Sequence, residues 1–228
     1  MKNIAILGNL AIDRIKRPFS RVWKEEPGGA AWYSSIAARS LGVPVHVMSN
    51  IGTDFPQRHI ETLRRVGIDT RGICRTCAPT TRFVIRYYGK VRRLRLAAKC
   101  HSLNVDRLVS AGRLRGAHVG AIAGEISFDV VSTLKDRCEI LSLDLQGFLR
   151  TFGPKGKVIL RPSIERETLA LANIIKGSDT ELSTLTGNRH LLVAAKQMVA
   201  RGLAIVLATR GEKGTLAVSQ DGSYVVPA

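Results

Sequence analysis

The sequence predicts an α/β protein with a largely parallel central sheet and helices on both faces. Three observations carry that expectation. Short apolar or β-branched runs alternate with segments of helical spacing along most of the chain, and the first two helical segments close on glycine. Most consecutive strand-like runs are separated by a helix, so they need crossover connections, and crossovers imply parallel pairing.

Lys2 to Gly8 (KNIAILG) is a short apolar run ending in glycine, the pattern of a buried first strand. After Pro27-Gly28-Gly29, the segment AAWYSSIAARSLG has apolar residues at helical spacing and stops at Gly42. Val43 to Ile51 reads as a strand, and roughly Phe55 to Val66 as a second helix stopped at Gly67. Thr81 to Ala97 breaks the rhythm. RFVIRYY and VRRLRLA flank Gly89-Lys90, which predicts an antiparallel hairpin with basic residues alternating on one face. Alternation then resumes with strands at Ala117–Ala123 and Glu139–Leu145 around a helix at Ser127–Lys135. A helix near Ile164–Ala172, a strand at Asn173–Lys176, two short helices and a strand at Leu203–Thr209 complete the series. In open sheets of this kind ligands bind beyond the carboxyl ends of the strands. The informative residues are therefore Asn9 and Asp13, Asp54, Asp144 with Gln146, Ser178 with Glu181, and Thr209 with Gly211.

At 228 residues and 45% hydrophobic content the chain can bury a core. Its longest apolar stretches, such as Leu203 to Ala208, fall far short of the ~20 residues a bilayer span requires, and Met1 to Gly8 is too short for a signal peptide. The expectation is a cytoplasmic protein without membrane contact. Lys and Arg number 35 against 18 Asp and Glu, a formal charge of +17, which favours anionic partners, nucleotides as well as nucleic acids. Cys74 and Cys77 form one C-x-x-C, but Cys100 and Cys138 stand apart, so free thiols or a stray disulfide are favoured over a zinc site. The five histidines show no ligand spacing.

No G-x-x-x-x-G-K-[ST] occurs, and no G-x-G-x-x-G, so a nucleotide would have to be held by another design. Taken singly, the Gly28-Gly29 doublet reads as a plain turn and Glu181 as a residue serving a helix dipole. Their order along the chain says more. Gly8-Asn9-Leu10-Ala11-Ile12-Asp13, then GGAAWYSSIAARSLG from Gly28, Gly52-Thr53-Asp54, GIDT from Gly67, SDTELSTLTG from Ser178 and TRGEKG from Thr209 together resemble the ribokinase-like (PfkB) carbohydrate kinase family nearly from end to end.

That resemblance implies a three-layer α/β sandwich over 1–228 with a small β lid whose strands lie near 14–27 and 81–97. It implies ATP-dependent phosphorylation of a sugar, polyol or nucleoside hydroxyl, with Mg²⁺. Asn9, Asp13, Gly28, Gly29, Tyr33, Asp144 and Gln146 would meet the acceptor. Ser178, Thr209, Gly211 and Gly214 would line the nucleotide site, and Glu181 would hold the metal through water. Asp13 would accept hydrogen bonds from two vicinal hydroxyls, while the glycine pair would permit close backbone approach and a hinging lid. LSLDLQGFLR, Leu141 to Arg150, resembles a segment of an archaeal-type subgroup with inositol-kinase-like members, pointing to a polyol or nucleoside.

The pattern is not complete. Tyr33 stands where many members carry a sugar-contacting asparagine, and Ser178 takes the asparagine place of Asn-x-x-Glu. The family's Asp-Thr-x-Gly-Ala-Gly-Asp segment, whose amides form an anion hole and whose last Asp is the general base, has no counterpart in these residues. The resemblance therefore implies a sequence without its catalytic segment, or one that has lost its chemistry, and no catalytic residue is assigned. A non-catalytic small-ligand or nucleotide-binding relative is the alternative. Between Arg82 and Lys99 lie seven Lys or Arg and no acid. A solvated or subunit-facing lid, the latter giving a homodimer, is favoured here over nucleic-acid contact because aromatic residues for stacking are scarce.

Overall fold

The computed structural model describes residues 4–89, 91–104 and 112–228. Strands β1 (Ile4–Leu7), β2 (Ala11–Lys16) and β3 (Lys24–Gly28) precede helix α1 (Ala30–Ser40). Then come β4 (Val45–Gly52), α2 (Gln57–Arg65), β5 (Asp69–Thr76), β6 (Thr81–Tyr88), β7 (Val91–Ala98) and β8 (Leu114–Val119). The second half runs α3 (Phe128–Lys135), β9 (Cys138–Asp144), α4 (Gln146–Leu149), β10 (Arg150–Phe152), β11 (Val158–Leu160), α5 (Arg166–Leu171) and β12 (Ile174–Ser178). It ends with α6 (Asp179–Thr186), α7 (Leu191–Ala200), β13 (Ile205–Thr209), β14 (Thr215–Ser219) and β15 (Ser223–Val226).

Among the described residues the main sheet has nine strands in the order β15-β14-β13-β12-β9-β8-β1-β4-β5. It is parallel from β13 through β5, and β14 and β15 add antiparallel pairs at one edge. Period-2 alternation splits β1 between two cores. Ile4 and Ile6 pack with Trp32 of α1 and with Ile60 and Leu63 of α2, whereas Ala5 and Leu7 pack with Val130, Val131 and Leu134 of α3. Helices therefore cover both faces, as the alternation of runs predicts. Three expectations change in detail. Residues 69–76 form a further edge strand, and residues 150–160 form a small hairpin, β10-β11, neither read from the sequence. Strand β8 also ends at Val119, not Ala123, because the chain beyond it turns away from the sheet toward Glu125.

A separate four-stranded sheet, β3-β2-β6-β7, forms the lid. Its first strand begins at Ala11, ahead of the expected 14–27. Strands β2 and β6 run parallel while β3 and β7 pair antiparallel at the edges. Alternation again sorts the faces. Asp13, Phe83, Ile85 and Leu94 turn toward the main sheet, while Arg14, Arg86, Arg93 and Arg95 turn outward.

Asp54 pins the start of β6. Its Oδ1 accepts from the Thr80 amide at 2.8 Å and the Thr80 hydroxyl at 2.6 Å, and its Oδ2 from Arg82 Nη2 at 3.1 Å. Burial pushes this carboxyl's pKa up, but the two Thr80 bonds and Arg82 outweigh it and hold the pKa below the ordinary value. A depressed carboxylate stabilises the fold above its unfolded pKa and ceases to as pH falls through the folded one. Asp54→Ala should therefore speed amide exchange across β6 and β7 while leaving β8 and β9 protected, as read by hydrogen-exchange mass spectrometry. Acidification below the ordinary carboxylate range should loosen the wild-type lid in the same way.

Candidate functional site

Beyond the carboxyl ends of β1, β8 and β9, the lid closes over a pocket of about 270 Å³. Asp13, Gly29 and Tyr33 line one wall, Phe83, Ile85 and Arg92 the roof, and Asp144, Gln146, Arg150 and Lys176 the floor. Five of the seven expected acceptor residues thus meet in one cavity. Gly28 stands just behind them, where a Cβ would run into the Asp13 carboxylate. Gly29 has φ 93°, and a Cβ there would lie 2.6 Å from the Asn9 carbonyl, so only glycine lets α1 start this close to the loop after β1.

Asn9 is not among the residues lining this cavity. It is fully buried, its Oδ1 accepts from the Asn50 amide at 3.0 Å, and its Nδ2 donates to the His101 carbonyl at 2.9 Å. Its side chain is consumed in fastening loops. The reason lies in Glu125, which sequence reasoning missed. This carboxylate is 1% exposed and accepts from three backbone amides, those of Asn9 (3.1 Å), Ile122 (3.0 and 3.1 Å) and Ala123 (2.7 Å). It draws the loop after β1 onto the loop after β8 and so sets the pocket wall that carries Ile122. A lone acid in an Ala/Gly-rich loop carries no sequence signal for such a role.

The electrostatics of the pocket are sharply divided. Burial raises the Asp13 pKa to about 6, against the pull of Arg92 and Arg150 and with the help of Glu26. The Tyr33 phenol is raised by burial and by the Asp13 charge, and its hydroxyl donates to the Pro27 carbonyl at 3.3 Å. Asp144 is buried but satisfied, accepting from Lys176 Nζ at 2.8 Å and from the Gln146 amide at 3.1 Å. Arg150 donates to Gln146 Oε1 at 2.8 Å and stands 5.9 Å from the Phe83 ring. Burial lowers its pKa, and the carboxylate that most opposes this is Glu181. Arg92, also missed from sequence, falls on the inner side because the register sets it opposite Tyr87 while its neighbour Arg93 faces outward. Parity in the hairpin is the signal that separates them.

Three of the expected donor residues meet at the ends of β12 and β13. Ser178 and Thr209 are register partners, and Gly211 opens the short helical turn that follows. Ser178 caps α6, its Oγ accepting from the Glu181 amide at 3.2 Å while Glu181 Oε2 accepts from the Ser178 amide at 2.8 Å. Gly214 closes the turn that Gly211 opens, its amide donating to the Gly211 carbonyl at 3.0 Å, and a Cβ there would run into the Val226 carbonyl of β15. Among the described residues no cluster of three His, Cys, Asp or Glu is placed to hold a metal. One carboxylate with an oxygen outside its cap bond fits an ion held chiefly by phosphate and water.

These features can be set beside known proteins. The profile of the pfkB family carbohydrate kinases matches residues 1–228. A cytidine kinase of Thermococcus kodakarensis is 27% identical over 229 residues, covering 98% of this chain and 78% of that protein. A deoxyribokinase of Salmonella typhi is 26% identical over 255 residues, with 99% and 78% covered. A solved pyrophosphate-dependent kinase of the ribokinase family, complexed with a pyrophosphate analogue and myo-inositol, superposes with a TM-score of 0.84 at 22% identity, over 98% of this chain and 78% of that one.

Two outcomes test the geometry. Glu125→Ala would strand three buried amides and should cost at least about 3 kcal/mol in urea unfolding. A carboxyl whose folded pKa is raised binds its proton more tightly in the fold, so the fold loses stability as pH climbs through the gap between the unfolded and folded values. Asp13→Asn should thus gain stability over wild type from about pH 4 to about pH 7, read as a rising difference in Tm.

Proposed function

The chain belongs to the pfkB family of carbohydrate kinases, and on that footing we propose that it works at transfer of a phosphoryl group from ATP to a hydroxyl of a sugar, polyol or nucleoside. The acceptor occupies the lidded pocket and the donor lies over the ends of β12 and β13. One observation carries this reading: the acceptor pocket reaches Lys176 of β12, two residues before Ser178, which pairs with Thr209 at the strand ends where Gly211 follows. Arg150 and Lys176 on the pocket floor are the cations that negative charge would meet in passing between the two sites. Phosphoryl transfer relies chiefly on such positioning and neutralisation.

Asp13 supplies the acceptor grip. Once ionised it offers two oxygens to vicinal hydroxyls, and the cost of ionising a buried carboxyl is offset when those hydroxyls replace the lost water. Lys176 holds Asp144 fixed, so Gln146 and Arg150 keep their places on the floor. Ser178, Thr209 and Gly211 would face the donor, and Glu181 would help hold a Mg²⁺, whose charge would screen that of the donor. These 228 residues contain no counterpart of the Gly-Ala-Gly-Asp segment. We assign binding of both substrates to the residues described.

Calorimetry with cytidine, deoxyribose and myo-inositol, with ATP and pyrophosphate as donors, tests the assignment. At least one acceptor should bind, more tightly as pH rises through about 6, and Asp13→Asn should weaken it at least about tenfold and flatten that pH dependence. Loss of all acceptor binding in the wild-type protein would overturn the assignment. Arg150→Met should leave acceptor affinity within a few-fold and weaken donor binding when acceptor is present.

A further inference from the structure

Two stretches of the chain combine several cations with no Asp or Glu. Residues 70–105 carry nine Lys or Arg and residues 145–164 carry four. In the fold these stretches become facing walls of one open groove of about 850 Å³, between the outer side of the lid and the turn that joins β10 to β11. Arg86, Arg92, Arg93, Arg95, Lys155 and Lys157 line it, and no acid does.

The cations are arranged in rungs. Lys16 lies opposite Arg86 in the β2-β6 register, and Arg86 lies opposite Arg93 in β6-β7, so one rung carries three positive charges side by side. Like charges directly opposite destabilise a sheet. Among the described residues none of Arg86, Arg93, Arg95, Lys155 or Lys157 pairs with a carboxylate, and Glu25, across the lid, is taken by Arg82 at 2.7 Å. The repulsion therefore awaits an external anion. Aromatic rings share this face. Trp23 stands under Arg14, Lys16 and Arg86 at 4.9, 5.6 and 5.0 Å, and half-exposed Tyr88 lies 5.3 Å from Arg93. Scarcity of aromatics along the hairpin sequence counts against nucleic acid, but folding brings Trp23, from the loop before β3, to the same surface.

We propose that this outer face of the lid binds single-stranded nucleic acid, with phosphates along Arg86, Arg93, Arg95 and Lys157 and a base stacked on Tyr88. Cationic grooves interleaved with aromatic rings suit a flexible strand, since every base has a π face. A second copy of this chain would set like charge on like charge. A bilayer would meet a concave groove where it needs a flat or convex face. The site lies outside the acceptor pocket and does not rest on the kinase assignment.

Fluorescence anisotropy of a labelled 20-nucleotide RNA tests it on the wild-type protein, with inorganic polyphosphate and phosphatidylserine vesicles as separate arms. RNA should bind at low salt and weaken steeply as salt rises. Arg93→Glu with Arg95→Glu should weaken it at least about tenfold and lower the salt slope by about 1.4, two phosphate contacts on a single strand. Both side chains are exposed, so acceptor binding should stay unchanged, while relief of the rung's repulsion should leave Tm equal or higher. Tyr88→Ala should weaken RNA several-fold and leave polyphosphate unaffected. Absence of RNA binding at low salt, equal binding by the double variant, or binding confined to polyphosphate or to vesicles would each overturn the proposal.

Discussion

One buried carboxylate holds the arrangement on which everything else depends. Among the described residues Glu125 forms no ion pair, and its carboxylate is held by hydrogen bonds from three backbone amides. Amides that bond an ionised group are worth more than those bonding a neutral one, and a buried charge so satisfied resists displacement. The Asn9 side chain extends the clasp to the end of β4 through Asn50 and to the segment leaving the lid through His101, while the Leu103 amide bonds the Glu125 carbonyl at 3.0 Å. Three strand ends and the lid's return path are thus fastened at one point. The acceptor pocket is the space left between that knot and the lid.

The distribution of charge follows from this frame. Where the chain is anchored, polar groups are satisfied: Asp54 by Thr80 and Arg82, Asp144 by Lys176, Glu181 by the amide it caps. In the pocket the balance is left open. Among the described residues Asp13 is buried without an ion pair, although Arg92 and Arg150 line the same pocket, and half-buried Arg150 hydrogen-bonds Gln146. Groups held this way carry a cost in the empty protein that a complementary ligand relieves, which is the physical meaning of perturbed pKa values gathered in a cleft. Outside the lid the imbalance is larger, because alternation along β6 and β7 sends Arg86, Arg93 and Arg95 to the same side.

What the linear sequence determined by itself was the architecture and the order of the loops. Apolar runs alternating with helical spacing dictated parallel pairing, since period and crossover length are local properties, and motif order placed Asp13, Gly29, Tyr33, Asp144 and Gln146 at strand ends, where they meet. Local patterns could not decide which polar residue faces inward. Asn9 and Asp13 share one loop-and-strand segment, yet Asn9 is spent on Asn50 and His101 while Asp13 enters the pocket. That Gly214, in the turn after β13, also lies against Val226 of β15 is equally absent from a local motif. Glu125, and the side of the lid on which Arg92, Arg93 and Trp23 lie, depend on pairing between segments far apart in the chain. A side chain's partners are settled by register and close packing across the fold, and no window of neighbouring residues contains that information.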